Sequence, residues 1–382
     1  MQITFYLVVL NHHQACLADE LYCLLGADFH FVELVDDKKN QNNKGGIQDY
    51  SKRAYLVRPW LDDNQKKTAN NLLESSDVCV FGGVESLPYL RRRIKAGKCM
   101  YYVSERWLKR GFVNILSPRL LKVYSHIVRA RKHSLYMLCA SAYAANDFKL
   151  LCICNQYYKW GYFVDSYALP ELHNSTGEKV FSSKSLSIMW CSRFIDWKHP
   201  ELAIGLAYRL KEQGYDFILD MYGDGQLLNQ SKYDCIRKGL DMVYFKGTES
   251  NDLILQAMRH HDIFILTSDR NEGWGVVLNE AMGSGCAVVA SDATGAASFL
   301  IEDNVNGLLF ESNNIDSLYE KVVYMIENPE DRFKMAANAH RTLTTIWSPK
   351  TAASNLVQLS YRLLLGQETD IKEGPCSIIE IR

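Results

Sequence analysis

The stretch that decides the fold covers residues 262–310, DIFILTSDRNEGWGVVLNEAMGSGCAVVASDATGAASFLIEDNVNGLLF. It alternates strand, loop, helix, strand, helix and strand, the pattern of parallel βα units with helices on both faces of a sheet. The loop over 269–275 carries Gly273 and Gly275, which allow close backbone approach, and the helix expected to start near Val276 offers free N–H groups to an anion. Glu272 stands just before the two glycines of this loop, and Glu280 lies on the helix, a turn or more beyond its start. Rise and reach put the two carboxylates roughly 8 to 12 Å apart. A paired acid and nucleophile acting on one glycosidic bond sit only about 5 Å apart, so the two are expected to hold different parts of an extended ligand.

The same alternation extends outward in both directions. Within the quoted block and on either side of it, strands are expected at 185–191, 216–222, 242–246, 262–266, 287–291 and 307–310, with helices at 200–213, 276–283 and 315–327. A first series of strands is expected at 3–10, 29–35, 78–81, 100–103 and near Tyr157, with a polar loop over 36–48. The chain of 382 residues is too long for one ordinary core and suits two α/β domains. The expected division is a Rossmann-like domain over 1–165, a linker over 166–184 and a second Rossmann-like domain over 185–350. A helix over 351–366 is expected to cross back to the first domain, followed by a polar tail over 367–382 read as disordered. In such sheets ligands bind beyond the carboxyl ends of the strands.

Composition narrows the function classes. Hydrophobic residues make up 47% and charged residues 23%, with a net charge of −1, which suits a globular chain and excludes a largely disordered one. The apolar run at 3–10 has no basic run before it and is followed by Asn11-His12-His13-Gln14, so neither a signal peptide nor a membrane span is expected there. A cytoplasmic protein, at most peripheral on the inner face of the membrane, is the expectation. The eleven cysteines are scattered, and Cys152 and Cys154 have one residue between them, so reduced core thiols are expected and no metal site is assigned. Thirteen basic residues fall in 91–132 with Glu105 as the sole acid. That asymmetry points to an anionic partner, and with no nucleic-acid-binding motif beside it, to an anionic membrane surface or lipid phosphate.

The spacing Glu272, seven residues, Glu280 within EGWGVVLNEAMGSGCAVVAS resembles the signature of the retaining GT-B glycosyltransferases of family 4, the group 1 type. The resemblance covers the C-terminal half. It implies a GT-B fold of two Rossmann-like domains facing a central cleft. It also implies contact of Glu272 with the donor sugar, backbone contacts from Gly273, Trp274, Gly275 and Val276, and ribose binding by Glu280. Arg193 and Lys198 in SLSIMWCSRFIDWKHPELAI resemble the family's pair on the donor diphosphate, a planar fork and a point charge suited to an anionic leaving group. FILDMYGDG and FKG resemble its nucleotide-lining turns, which implicates Gly223, Gly225 and Gly247.

The N-terminal half departs from the family pattern. Where relatives have Gly-Gly after the first strand, this chain has Asn11, His12 and His13, read as acceptor or sugar contacts, with His13 a candidate catalytic group. Where relatives often have a sugar-contacting His after the fourth strand, this chain has Glu105, a second candidate beside the commoner reading of an ion pair. The resemblance implies transfer of a hexose-type sugar from a nucleotide sugar to a saccharide or lipid-linked acceptor in cell-surface polysaccharide or glycoconjugate synthesis, with retention and without metal or other cofactor. A GT-B-fold sugar-nucleotide epimerase and an inactive scaffold subunit stay open as alternatives. A nicotinamide dehydrogenase is disfavoured because no G-x-G-x-x-G follows an early strand.

Overall fold

The computed structural model describes residues 1–36, 50, 52–130, 132–154, 156–165 and 185–380. The expected linker over 166–184 and all but the first residue of the expected loop over 36–48 lie outside the described residues. The chain divides into two compact units, Met1–Asp165 with Ile346–Arg382, and Ser166–Thr345.

The first unit is built on a seven-stranded parallel sheet: β1 (Ile3–Leu7), β2 (Phe29–Glu33), β3 (Leu56–Val57), β4 (Val78–Gly82), β5 (Met100–Ser104), β6 (Leu135–Ala140) and β7 (Tyr157–Trp160). Its order is β3-β2-β1-β4-β5-β6-β7. Strands β3 and β6 are additions to the expected set. The first is only two residues long. The second, LYMLCA, follows the basic run so closely that its apolar stretch has no preceding Gly or Pro to mark it off.

The second unit has six parallel strands, β8 (Leu186–Cys191), β9 (Phe217–Tyr222), β10 (Val243–Gly247), β11 (Ile263–Leu266), β12 (Ala287–Ser291) and β13 (Leu308–Phe310), in the order β10-β9-β8-β11-β12-β13. Strands β4, β11 and β12 are buried along their whole length, which explains their continuous apolar runs in place of alternation. The core of this unit packs Trp190, Phe194, Phe217, Met221, Ile265 and Val289 between sheet and helices.

The last helix, Pro349–Leu364, packs on the first helix, His12–Leu25, and its Ser360 Oγ lies 3.2 Å from the Tyr101 hydroxyl of β5. The polar tail is not disordered over its described length. Cys376 N–H donates to Lys159 O at 2.7 Å, Lys159 N–H to Ser377 O at 2.9 Å and Ile379 N–H to Tyr157 O at 3.0 Å, with an antiparallel bridge between Tyr158 and Ile378. Buried Cys376 and Ile379 are what a composition-based reading of the tail misses. Pairing here covers the free edge of β7, which would otherwise be a template for another chain.

Candidate functional site

In each unit the strand order reverses beside its first strand: β1 pairs with both β2 and β4, and β8 with both β9 and β11. The loops after these strands flank a switch-point crevice, the place where open α/β sheets bind ligands.

In the second unit, the loop after β8 carries Arg193 and the 3₁₀ turn Asp196–Lys198, and the loop after β11 carries residues 267–276. These two loops are tied together by buried polar groups. Trp190 Nε1 donates to Thr267 Oγ1 at 2.8 Å, and that hydroxyl donates onward to Lys198 O at 2.6 Å. Asp269 N–H bonds Trp197 O at 3.0 Å. Both Trp190 and Thr267 are buried, so each bond replaces one that water would have made, and losing either leaves an unsatisfied group. The result fixes Lys198, whose ammonium is ion-paired with the Glu272 carboxylate. Arg193 is exposed and lies over the Trp197 ring at 5.7 Å.

The glycines have separate duties. At Gly223, φ 124, an added Cβ would sit 1.9 Å from Ser192 O, and at Gly225, φ 153, 2.4 Å from Phe194 O. Phe194 N–H also donates to Asp224 O at 2.9 Å. These two glycines therefore seat the Gly-Asp-Gly turn on the loop that carries Arg193. Gly247 O accepts from Gly223 N–H at 2.7 Å. Gly275, φ 91, lies against Thr294 and the Glu272 side chain, and a Cβ on Gly295 would meet Gly273 O at 1.9 Å. Trp274 is buried, its indole N–H bonded to Asn279 Oδ1 at 2.9 Å, so its ring anchors the loop. Val276 caps the short helix Val277–Gly283.

Glu280 lies on that helix and is 7% exposed. Burial pushes its carboxyl up to about 7. Just after Lys198, His199 stands in the left-handed region at φ 50, 2.6 Å from Glu201 and 3.4 Å from Asp269. The second distance is an ion-pair separation without hydrogen-bond geometry. The bond to Glu201, and then Asp269, raises the imidazole's pKa.

The first unit's switch-point loop is chemically different. Asn11 caps the helix His12–Leu25 without using its side chain, and among the described residues its Oδ1 has no hydrogen-bond partner. The rings of His12 and His13 lie 3.6 Å apart. Burial, then the neighbouring His12, takes the His13 pKa down to about 3, and burial also lowers that of His12. Glu33, at the end of β2, accepts from Leu10 N–H at 3.1 Å and Arg58 Nε at 2.7 Å, holding the approach to this loop. Gly-Gly does occur at the switch point, after β4 and not after β1. Gly83 has φ 77, and a Cβ there would meet Val8 at 2.6 Å.

Glu105 is paired with Lys109 Nζ at 2.9 Å and accepts from the Tyr162 hydroxyl at 3.1 Å. Several of the basic residues around it are likewise held within the unit. Arg93 is buried and donates to Leu73 O, Asp77 O and Cys99 O. Arg92 pairs with Glu74 and Arg106 with Asp147. Arg131 lies outside the described residues. The charge that faces solvent is therefore smaller than the count in the sequence. Thr267, Trp190, Gly83 and Gly295 escape sequence reasoning because their partners are remote in the chain or their roles are visible only as close backbone approach.

Comparison with known proteins bears on both units. The model of the family Glycosyl transferases group 1 matches residues 175–342. An uncharacterized glycosyltransferase of Methanocaldococcus jannaschii is 32% identical over 123 residues, 32% of this chain and 34% of the relative. The poly(ribitol-phosphate) alpha-N-acetylglucosaminyltransferase of Staphylococcus aureus is 25% identical over 191 residues, 50% of this chain and 37% of the relative. The matched stretches thus span about a third of these relatives. Among solved structures, Anabaena HepE in complex with UDP aligns with TM-score 0.67 at 18% identity over 94% of this chain and 98% of that one. A glycosyltransferase from Rickettsia africae aligns with TM-score 0.66 at 16% identity over 95% and 98%. At these identities the two structures show the fold. The family match thus falls on the second unit, where this chain is similar to the group 1 glycosyltransferases, and its two parallel sheets have the GT-B fold of the solved structures.

Proposed function

We propose that the protein is a retaining, metal-independent glycosyltransferase that moves a hexose-type sugar from a nucleotide sugar to a saccharide or lipid-linked acceptor in cell-surface glycoconjugate synthesis. The observation that carries this is the Lys198–Glu272 pair at the second unit's switch point, with solvent-facing Arg193 on the same loop. In this reading Lys198 and Arg193 stabilise the departing diphosphate, because fixed cations aimed at developing charge lower the barrier without reorganising. Glu272 holds Lys198 and accepts from sugar hydroxyls. Glu280 accepts from the ribose diol. UDP is the first nucleotide to test, since the Anabaena structure is a UDP complex. Asn11, His12 and His13 offer neutral polar atoms suited to hydroxyls.

The reaction separates charge between an oxocarbenium-like sugar and the diphosphate, with the acceptor hydroxyl attacking from the face the phosphate leaves. No protein nucleophile and no cofactor are needed. The test is a transfer assay with α-linked UDP-sugars and saccharide or lipid-linked acceptors in the presence of a chelator, with the product anomer read by NMR. An α-linked product supports the reading. A β-linked product overturns retention, and interconversion of UDP-sugars without any acceptor would assign the site to an epimerase.

A further inference from the structure

The turn Gly111–Leu116 and the helix after it carry apolar side chains on the outside. Phe112 is 63% exposed, Val113 72%, Leu116 75% and Leu121 45%. Large exposed apolar side chains gathered this closely along the chain point to an interaction surface. Its display is held firmly from below. Gly111 N–H donates to Leu108 O at 2.9 Å, Leu108 N–H to the Asp147 carboxylate at 2.8 Å, and Asn114 Nδ2 to Trp107 O at 2.9 Å. Trp107 and Leu108 are buried, as are Val123, Ile127 and Ala130 on the inner face of the helix Pro118–Ala130. The segment thus has its own inward apolar face, and the outward one is additional.

The rim of this group is basic. Arg110, Arg119, Lys122 and Arg129 are all exposed, with Arg119 also 3.6 Å from Glu85, and no acid occurs between residues 106 and 132. Lys122 and Arg129 are seven residues apart on one helix and therefore share a face. Apolar side chains at the tip and cations around them match the two layers of an anionic bilayer surface, acyl chains below and phosphate headgroups above. A nucleic acid would match the cations and leave the aliphatic tips unpaired.

We infer that residues 110–122 form a membrane-docking pad that inserts Phe112, Val113 and Leu116 into an anionic leaflet, while Arg110, Arg119 and Lys122 engage headgroup phosphates. The pad is independent of the transfer reaction, so either can fail without the other. The test is co-sedimentation of the full chain with vesicles of phosphatidylcholine alone or with about one third phosphatidylglycerol. The protein is expected to sediment with the anionic vesicles, and less at about 0.5 M salt. Losing three inserted apolar side chains in F112S/V113S/L116S lowers partitioning at least about tenfold, and R110E/K122E weakens it as well. Melting temperatures near that of the unaltered protein show that both variants fold. Phe112→Trp adds a direct readout, since its emission shifts to the blue on anionic vesicles. Absence of sedimentation, absence of that shift, or triple-serine binding equal to that of the unaltered protein would each overturn the pad. A dimer that F112S/V113S/L116S converts to monomer, with no vesicle binding, would assign the face to a second copy of the chain.

Discussion

Both units put a strand-order reversal beside their first strand, yet the loops that flank it carry opposite chemistry. Beyond β8 and β11 the second unit sets out charges: exposed Arg193, the Lys198–Glu272 pair and buried Glu280. Beyond β1 and β4 the first unit sets out Asn11, His12, His13 and two glycines, and burial keeps His13 neutral at ordinary pH. A shared topology therefore supplies the place for a ligand without choosing its charge. Fixed cations suit a diphosphate, whereas uncharged donors and acceptors suit hydroxyls, whose desolvation costs less than that of ions.

The largest effect that sharpens this contrast is expected at Lys198. Lys198→Ala removes the cation and leaves the Glu272 carboxylate unpaired, and UDP-sugar turnover should fall by about 10²- to 10³-fold, as loss of one preorganised electrostatic group does. His13→Ala, in the corresponding loop of the first unit, should cost far less under the same assay. Equal losses would erase the distinction between the two loops.

Glu280 gives the next effect, and it has two signs. Its folded pKa is raised to about 7 from 4.5. Its burial therefore destabilises the free protein fully above pH 7, and that cost is relieved as pH falls through 7 toward 4.5. The shift corresponds to about 3 kcal/mol. In the proposed role of Glu280 as ribose acceptor, the diol would donate to the ionised form, so UDP affinity should fall below pH 7 by up to about tenfold per unit. Glu280→Gln should raise the melting temperature at pH 8 while weakening UDP and flattening that pH profile in calorimetric titrations.

The buried link between the loops comes third. Thr267→Val keeps the shape but strands the Trp190 N–H and the Lys198 carbonyl, costing about 1 to 3 kcal/mol in denaturant unfolding. Turnover should drop by less than in Lys198→Ala, because the ammonium is still present but loosely placed. The smallest expected effect is an absence of titration: ring-nitrogen NMR of His13 should report a neutral imidazole throughout pH 5 to 8, in keeping with a pKa of about 3.

Much of this molecule is written in its periodicity. All six strands of the second unit lie where the sequence places them; β11 and β12, covered on both faces, are apolar throughout, whereas the edge strand β10 leaves Tyr244 and Lys246 exposed. What stays hidden is whatever depends on partners distant in the chain. Glu105 carries no mark that Tyr162, 57 residues on, accompanies Lys109 as its partner. Thr267 carries none that it bridges Trp190 and Lys198. Gly223 and Gly225 read as nucleotide contacts, and only the geometry shows that the Ser192 and Phe194 carbonyls exclude a side chain there. Polarity misleads in the tail, where Cys376 and Ile379 are buried by edge pairing.

The central claim is that the charged switch point of the second unit is a nucleotide-diphosphate site working without metal. It is tested most directly by thermal unfolding with UDP and UDP-sugars in a chelator, on the unaltered protein and Lys198→Ala. Ligand at a hundred times its Kd should stabilise the unaltered protein by about 2.7 kcal/mol, a shift of a few degrees, with little or no shift in the variant. An equal shift in both proteins, or none with any nucleotide, would contradict the account.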